Sequence, residues 1–412
     1  MARGGCAVLA MAQPVAAAGP LARFRRKIAD NARGWLTFVQ GQRADNAALE
    51  REFANLGKAA EQALLEPEAR EAGVALVVAL WPFVELRGRW PEWRGLLNLA
   101  LSVCRRLDRP EAEAQVHDQL GELARILGNY QDAWTRQEEA LAICRRLGDR
   151  AGEGRVLGHL SQQYLALGDH EAAERCCQEA AAIFEGLGDQ AELATVHNNW
   201  GLVCRQNRRL DEALSHHQQA EVLRAALGDL HGQAKAMNNV GQIYRQMGRL
   251  AEAAACIQQA IAIHQQVGDD VVAARTRVSL AIVAHERGHT AEALAMHLEV
   301  EPLFRRLGVR SELGNVLNNQ GVFLAALNRP EQAQTAYEEA VRLHLANGDR
   351  IHAADSLNNC AELLLDHGMV AVARERLEQA HALLQALAGP PGWLLKDHAT
   401  LAERATNAVG PG

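Results

Sequence analysis

His285-Glu286-Arg287-Gly288-His289 sets two histidines four residues apart around a glutamate, the spacing with which one helical face binds zinc beside a general base. A zinc hydrolase would follow if all three shared a helix. Gly288 falls in register with Gly128, Gly168, Gly248 and Gly368, however, which occupy turns between helical stretches. The two histidines are therefore expected to straddle a helix end and to hold no metal. His216, His217 and His264 lie in helical stretches without a convergent Asp or Cys and read as core or surface histidines. Gly152-x-Gly154 with Gly158 is a fragment of a dinucleotide loop, but it falls in a turn that follows a helix where such a loop needs a strand. Gly57-Lys58 is followed by Ala59 and has no upstream glycine at phosphate-loop spacing. No GxSxG motif, Cys/His layout or carboxylate pair stands out, so a chain without enzymatic chemistry, metal or cofactor is expected.

The composition narrows the class. Of 412 residues 48% are apolar and 23% charged, enough to bury a large core, while 4% aromatics and clustered Gly and Pro argue against a β-sandwich or barrel. Net charge is -7 and no Lys/Arg run exceeds Arg25 to Lys27, which excludes a general nucleic-acid surface. Only four of 43 basic residues are lysine, a bias typical of GC-rich bacterial coding. The eight cysteines, Cys6, Cys104, Cys144, Cys176, Cys177, Cys204, Cys256 and Cys360, form no CxxC pair and read as small core residues of a reduced cytoplasmic protein. The start, MARGGCAVLAMAQP, faintly resembles a secretion signal, but its apolar stretch is short and LARFRRK follows, so residues 1–20 are expected to be disordered. No stretch is apolar enough for the roughly 20 residues that span a bilayer.

The organising feature is self-similarity. Gly-Asp recurs at Gly148, Gly188, Gly228, Gly268 and Gly348, with Gly308-Val309 between, a period of 40 residues. Small residues keep the same period in three columns: Ala133 to Ala373; Ala140 to Ala380, with Val300 in the series; and Gly121, Ser161, Gly201, Gly241, Ala281, Gly321 and Ala361. Each unit reads as two helices, as in 194–233, where LATVHNNWGLVCRQN is followed by the turn RRLD, with Asp211 as the expected N-cap, and by EALSHHQQAEVLRAAL. One unit cannot bury its apolar face alone, so the units must stack.

The strings WGLVC, VGQIY and LSQQY, followed by EAL or EAA and an alanine seven residues on, resemble the tetratricopeptide repeat. A period of 40 also suits HEAT or armadillo repeats, but the small-residue register favours the former. The resemblance implies an all-α right-handed superhelix: an N-terminal helical segment at 21–73, a degenerate repeat at 74–113 placed by Gly88 and Ala100, seven repeats at 114–393, and a capping helix with tail at 394–412 after Gly389-Pro390-Pro391-Gly392. ADNAALEREFANLGKAAEQALL and LWPFVELRGRWPEWRGLLNLAL further resemble the helical region before the repeats of NB-ARC (STAND) signalling NTPases. The chain is thus similar to a sensor region without its ATPase.

A helical wheel with Gly201 facing the partner helix puts Thr195, Asn199, Leu202 and Gln206 on the opposite arc. The equivalent arcs carry Lys235, Asn239, Gln242 and Gln246; Arg275, Ser279, Ile282 and Glu286; Asn315, Asn319, Val322 and Ala326; and Asp355, Asn359, Glu362 and Asp366. In tetratricopeptide proteins this arc lines the concave groove, and peptide-binding members carry Asn at the place of Asn199, Asn239, Asn319 and Asn359. An asparagine amide both donates and accepts, so such a column could hold a peptide backbone. Equally, these residues and the preceding Asn198, Asn238, Asn318 and Asn358 could bond between adjacent first helices and set the stacking. Lys235 and Arg275, with Arg205 and Arg245 at the edge, predict a basic middle, and Asp355, Glu362 and Asp366 an acidic end. The expected partner is a protein or peptide in a signalling or defence setting, with a separately encoded protease or NTPase as the alternative, and neither nucleic acid nor membrane.

Overall fold

The computed structural model describes residues 20–41, 46–87, 90–387 and 390–408; the signal-like start, Cys6, Gly88 and Gly389 lie outside the described residues. All elements among the described residues are helices, and they fall into two compact units, Met1–Gly188 and Asp189–Gly412.

The first unit opens with α1 (Pro20–Gly41), α2 (Asn46–Leu65), α3 (Arg70–Ala79), α4 (Trp81–Arg87) and α5 (Trp90–Leu107). Two regular pairs follow, α6 (Pro110–Ile126) with α7 (Tyr130–Leu147) and α8 (Arg150–Leu167) with α9 (His170–Leu187). The stretch expected to form the first helix of a degenerate repeat is divided into α3 and α4 around Leu80, just before Pro82, whose ring and missing N–H do not continue a regular helix. Phe53, Phe83 and Trp93 close the core here, the Phe53 ring centroid 5.6 Å from that of Phe83 and 5.5 Å from that of Trp93.

The second unit contains five pairs: α10 (Gln190–Gln206) with α11 (Leu210–Ala226), α12 (Leu230–Gln246) with α13 (Leu250–Gln266), α14 (Asp270–Glu286) with α15 (Thr290–Leu307), α16 (Arg310–Ala326) with α17 (Pro330–Ala346), and α18 (Arg350–Asp366) with α19 (Val370–Gln385). The final α20 (Gly392–Asn407) packs on α18 and α19 and buries Leu394, Leu401 and Ala405 against them, closing an otherwise exposed apolar face.

The two alanine columns, 133 to 373 and 140 to 380, are buried throughout. In the third column each glycine faces the residue 16 positions on: a Cβ on Gly201 would stand 2.7 Å from the His217 ring, on Gly241 2.5 Å from Ile257, and on Gly321 2.5 Å from Tyr337. Glycine is required there because a large side chain of the partner helix occupies the volume of its missing Cβ.

The turns follow the same register. Asp149, Asp169, Asp189, Asp229, Asp269 and Asp349 cap the next helix, each accepting a backbone N–H at 2.9 to 3.1 Å. Asp211 does not do so. Arg208 turns the chain at φ 57°, α11 already begins at Leu210, and Asp211 falls in its first turn. Gly152 and Gly154 lie inside α8 and not in the inter-repeat turn: Gly152 rests on the Asp149 carboxylate that caps the helix, and Gly154 on the Phe184 ring.

Gly241→Val should lower unfolding stability by about 2 kcal/mol, because its branched side chain must displace Ile257. Arg208→Gly should raise it by about 1 kcal/mol, since only glycine takes a left-handed φ without steric cost. Urea titrations followed by helical circular dichroism check both. His217 is fully buried, and burial together with Arg205 and His216 pushes its pKa from 6.5 down to about 4. Protonation therefore favours the unfolded chain, and the urea midpoint should fall as pH drops from 6.5 towards 4, less so in His217→Leu.

Candidate peptide-binding face

Each first helix of the second unit turns one face away from its partner helix. Gln206, Lys235, Gln246, Arg275, Glu362 and Asp366 are exposed there, and Thr195, Asn239, Gln242, Asn319 and Asn359 are half-buried. Asn199 is buried, recessed below the accessible row.

The asparagines form rungs. Asn239 Nδ2 donates to Asn198 Oδ1 at 2.7 Å, Asn359 Nδ2 donates to Asn318 Oδ1 at 3.2 Å, and each rung joins the first helices of successive repeats. At the end of the array Asn358 Oδ1 accepts from His398 Nδ1 on α20 at 3.0 Å. Stacking is thus one function of the amides. It does not exhaust them, since a carboxamide has two N–H donors and two acceptor lone pairs. Among the described residues no further hydrogen bond engages the Asn239 or Asn359 side chain, which leaves on each an N–H and a carbonyl oxygen at the half-exposed face.

The expected charge gradient is largely neutralised between repeats. Arg245 bonds Glu286, Arg275 bonds Glu312 at 2.6 Å, and Asp366 pairs with Arg404 of α20. Arg245 and Arg275 reach carboxylates of the next first helix, 41 and 37 residues on. Lys235 has no ion pair among the described residues. Arg205 is half-buried; burial and the neighbouring Arg245 lower its pKa from the usual guanidinium value.

One rung was not read from the sequence. Asp118 and His159 occupy, in the first unit, the same two columns as Asn198 and Asn239, and His159 Nδ1 lies 2.7 Å from Asp118 Oδ1. The legible signal is the common offset of 41 residues. Burial alone would lower the His159 pKa, but Asp118 and buried Glu122 outweigh it and hold it at about 10. Glu122 in turn accepts from Arg125 at 3.0 Å and from Gln137 at 3.1 Å.

The motifs that suggested catalysis have structural positions. His285 ends α14 and lies 3.0 Å from Thr290 Oγ1, whereas His289 is the N-cap residue of α15, so the two share no helical face. Among the described residues no group of three or more His, Cys, Asp or Glu could hold a metal ion. Gly57 and Lys58 are inside α2. The described cysteines carry free thiols; burial pushes Cys104, Cys144 and Cys360 up to about 11 and Cys176 to about 12, far from thiolate reactivity.

Tetratricopeptide repeats are matched at residues 110–186, 152–226, 192–266, 232–306 and 312–386. The chain belongs to the tetratricopeptide repeat family. No curated protein sequence matches it. Among solved structures it is similar to a Rap protein complexed with Competence and Sporulation Factor, at 14% identity and a TM-score of 0.61, over 92% of this chain and 99% of that one. It is similar to the apo form of the quorum sensor NprR from B. thuringiensis, at 14% identity and a TM-score of 0.58, over 87% of this chain and 99% of that one. A third is the STAND protein with a tetratricopeptide repeat sensor, PH0952 from Pyrococcus horikoshii, at 16% identity and a TM-score of 0.58, over 86% of this chain and 55% of that one. At these identities the likeness is one of fold, and this tetratricopeptide chain spans about half the length of the STAND protein. No helix among the described residues is long and apolar enough to cross a membrane.

Replacing His159 by Asn or Asp118 by Asn alone should each cost about 2 kcal/mol, while the double variant, which rebuilds an asparagine rung, should recover most of the loss. The ion-pair stability is fully present below the unfolded histidine pKa near 6.5 and is lost as pH rises through about 10. Urea midpoints at pH 7 and above pH 10 check both the cycle and the sign.

Proposed function

We propose that this tetratricopeptide protein is a non-enzymatic, cytoplasmic scaffold that holds an extended partner segment against the first-helix face of its second unit. The observation that carries the reading is the unspent capacity of the rung amides: Asn239 and Asn359 are half-buried, and each stacks the helices with one N–H and has no further bond among the described residues. The exposed Gln206, Lys235 and Gln246 continue that row, with Gln242 half-buried among them. Polar groups at one repeat spacing suit a peptide backbone, whose donors and acceptors also recur regularly. The fold shared with a Rap protein complexed with Competence and Sporulation Factor and with a quorum sensor supports a bound ligand and a sensor or regulator role in bacterial signalling.

A second reading is favoured by the STAND likeness, in which the repeats make up only part of a longer chain. Here the scaffold would dock on a separately encoded NTPase or protease and control it. Co-purification of such an enzyme with the full chain in fixed ratio supports this arrangement, and an enzyme-free monodisperse chain speaks against it.

The test of the main reading is affinity capture by the full chain compared with two variants. Gln206, Gln242 and Gln246 changed to Ala should reduce the captured partner about tenfold or more, the loss expected from removing several interfacial hydrogen bonds. Gln219 and Gln259 changed to Ala, exposed on second helices, should leave capture unchanged. Equal capture by the first variant refutes the assignment of the face.

A further inference from the structure

One column of the second helices is filled by rings. Phe184, His264, Phe304 and His344 recur in it at multiples of the 40-residue period, and all four side chains are buried. The first helix makes room for the ring 30 positions earlier: a Cβ on Gly154 would stand 2.7 Å from the Phe184 ring, and one on Gly314 2.6 Å from the His344 ring. In α5 the same column carries Cys104, fully buried but far smaller than a ring, and Val74 stands 30 positions earlier.

A cavity of about 460 Å³ opens there, within the first unit, between α1, α3, α5 and α6. Leu36, Val74, Val78, Leu107 and Ala112 form its walls beside Cys104. Its mouth is polar, with Gln40, Glu71, Arg109, Glu111 and Gln115 exposed. A concavity of a few hundred Å³, apolar within and with a small number of polar groups, has the make-up of a site for a small organic ligand. The chain turns at Asp108, φ 52°, and so presents Arg109 as the N-cap residue of α6. Arg109 Nε donates to Glu71 Oε1 of α3 at 3.0 Å, and Arg109 Nη2 donates to the same oxygen. Glu71 Oε2 and the Glu111 carboxylate have no hydrogen bond among the described residues. Glu71 above all, then Glu111 and Asp108, hold the Arg109 pKa above the usual guanidinium value. The one cation lining the cavity is therefore already surrounded by carboxylates, and two of these also line the mouth.

We propose that this cavity is a binding site for a small amphipathic amine, whose apolar body enters against Cys104, Val74 and Ala112 and whose protonated amine stays at the mouth with Glu71 and Glu111. An ammonium there gains charge-assisted hydrogen bonds from two carboxylates. An anion drawn to Arg109 would have to displace Glu71 and stand beside Glu111, and an uncharged head group gains only the weaker neutral bonds. The site belongs to the first unit and does not depend on the peptide-binding reading of the second.

The experiment is a ligand-observed NMR titration of the full chain with hexylammonium, hexanol and hexanoate, three probes that share one apolar body. Hexylammonium should bind about tenfold more tightly than hexanoate, the scale of one charge-assisted bond. Lengthening the ammonium probe from butyl to octyl should tighten binding about threefold for each CH₂ buried. Glu111→Gln, an exposed change, should weaken hexylammonium about fivefold and leave hexanol as it was. Cys104→Phe supplies the ring found at Phe184, fills the cavity and should abolish binding of all three probes. Ala112→Leu, at the half-buried wall, should do the same and keeps the test in hand if Cys104→Phe does not fold. Hexylammonium that fails to bind, hexanoate that binds as tightly as hexylammonium, or binding that survives Ala112→Leu overturns the site.

Discussion

The structure depends on how closely two helices approach. Gly201, Gly241 and Gly321 let a partner side chain into the space where a Cβ would stand, and alanines above and below keep the backbones near. That contact fixes the rotation of each first helix about its axis. Once rotation is fixed, so is the face turned outward, and every repeat must present the same columns of its sequence. The asparagine rungs, the inter-repeat ion pairs and the half-exposed amides all follow from a constraint made by residues without chemistry of their own.

The same constraint explains why polar groups have two tasks. An asparagine in a helix interior competes with the backbone for hydrogen bonds and needs a partner. Here the partner lies one repeat back, where the register places another short polar side chain. An amide is not saturated by one such bond, so the interface that orders the stack also leaves a polar row at the surface. The Asp118 to His159 rung shows a different solution in the same columns: a charged pair supported by Glu122, with a ring nitrogen already engaged by the carboxylate.

The fold was legible in the sequence to the level of helix pairs and turns, because Gly-Asp and the small-residue columns repeat with a physical cause at each position. The weaker first repeat was less so: a split around Leu80 depends on where Pro82 falls in a helix, not on the 40-residue period. Asp211 was misread because Arg208 takes a left-handed conformation that is common for glycine and unusual for arginine, which lets α11 start early. At the candidate face, the wheel identified the right helices but treated each in isolation. Asn199 is buried, and Arg245 and Arg275 are neutralised by ion pairs that exist only between repeats.

Ligand binding is assigned to the side of the repeats that the rungs stabilise. The most direct measurement is hydrogen–deuterium exchange of the full chain with and without its captured partner, resolved by peptide mass spectrometry. Added protection should concentrate on the first helices α10, α12 and α18, while the second helices α13, α15 and α19 change little. Protection confined to the second helices would place the partner on the opposite surface and contradict the account.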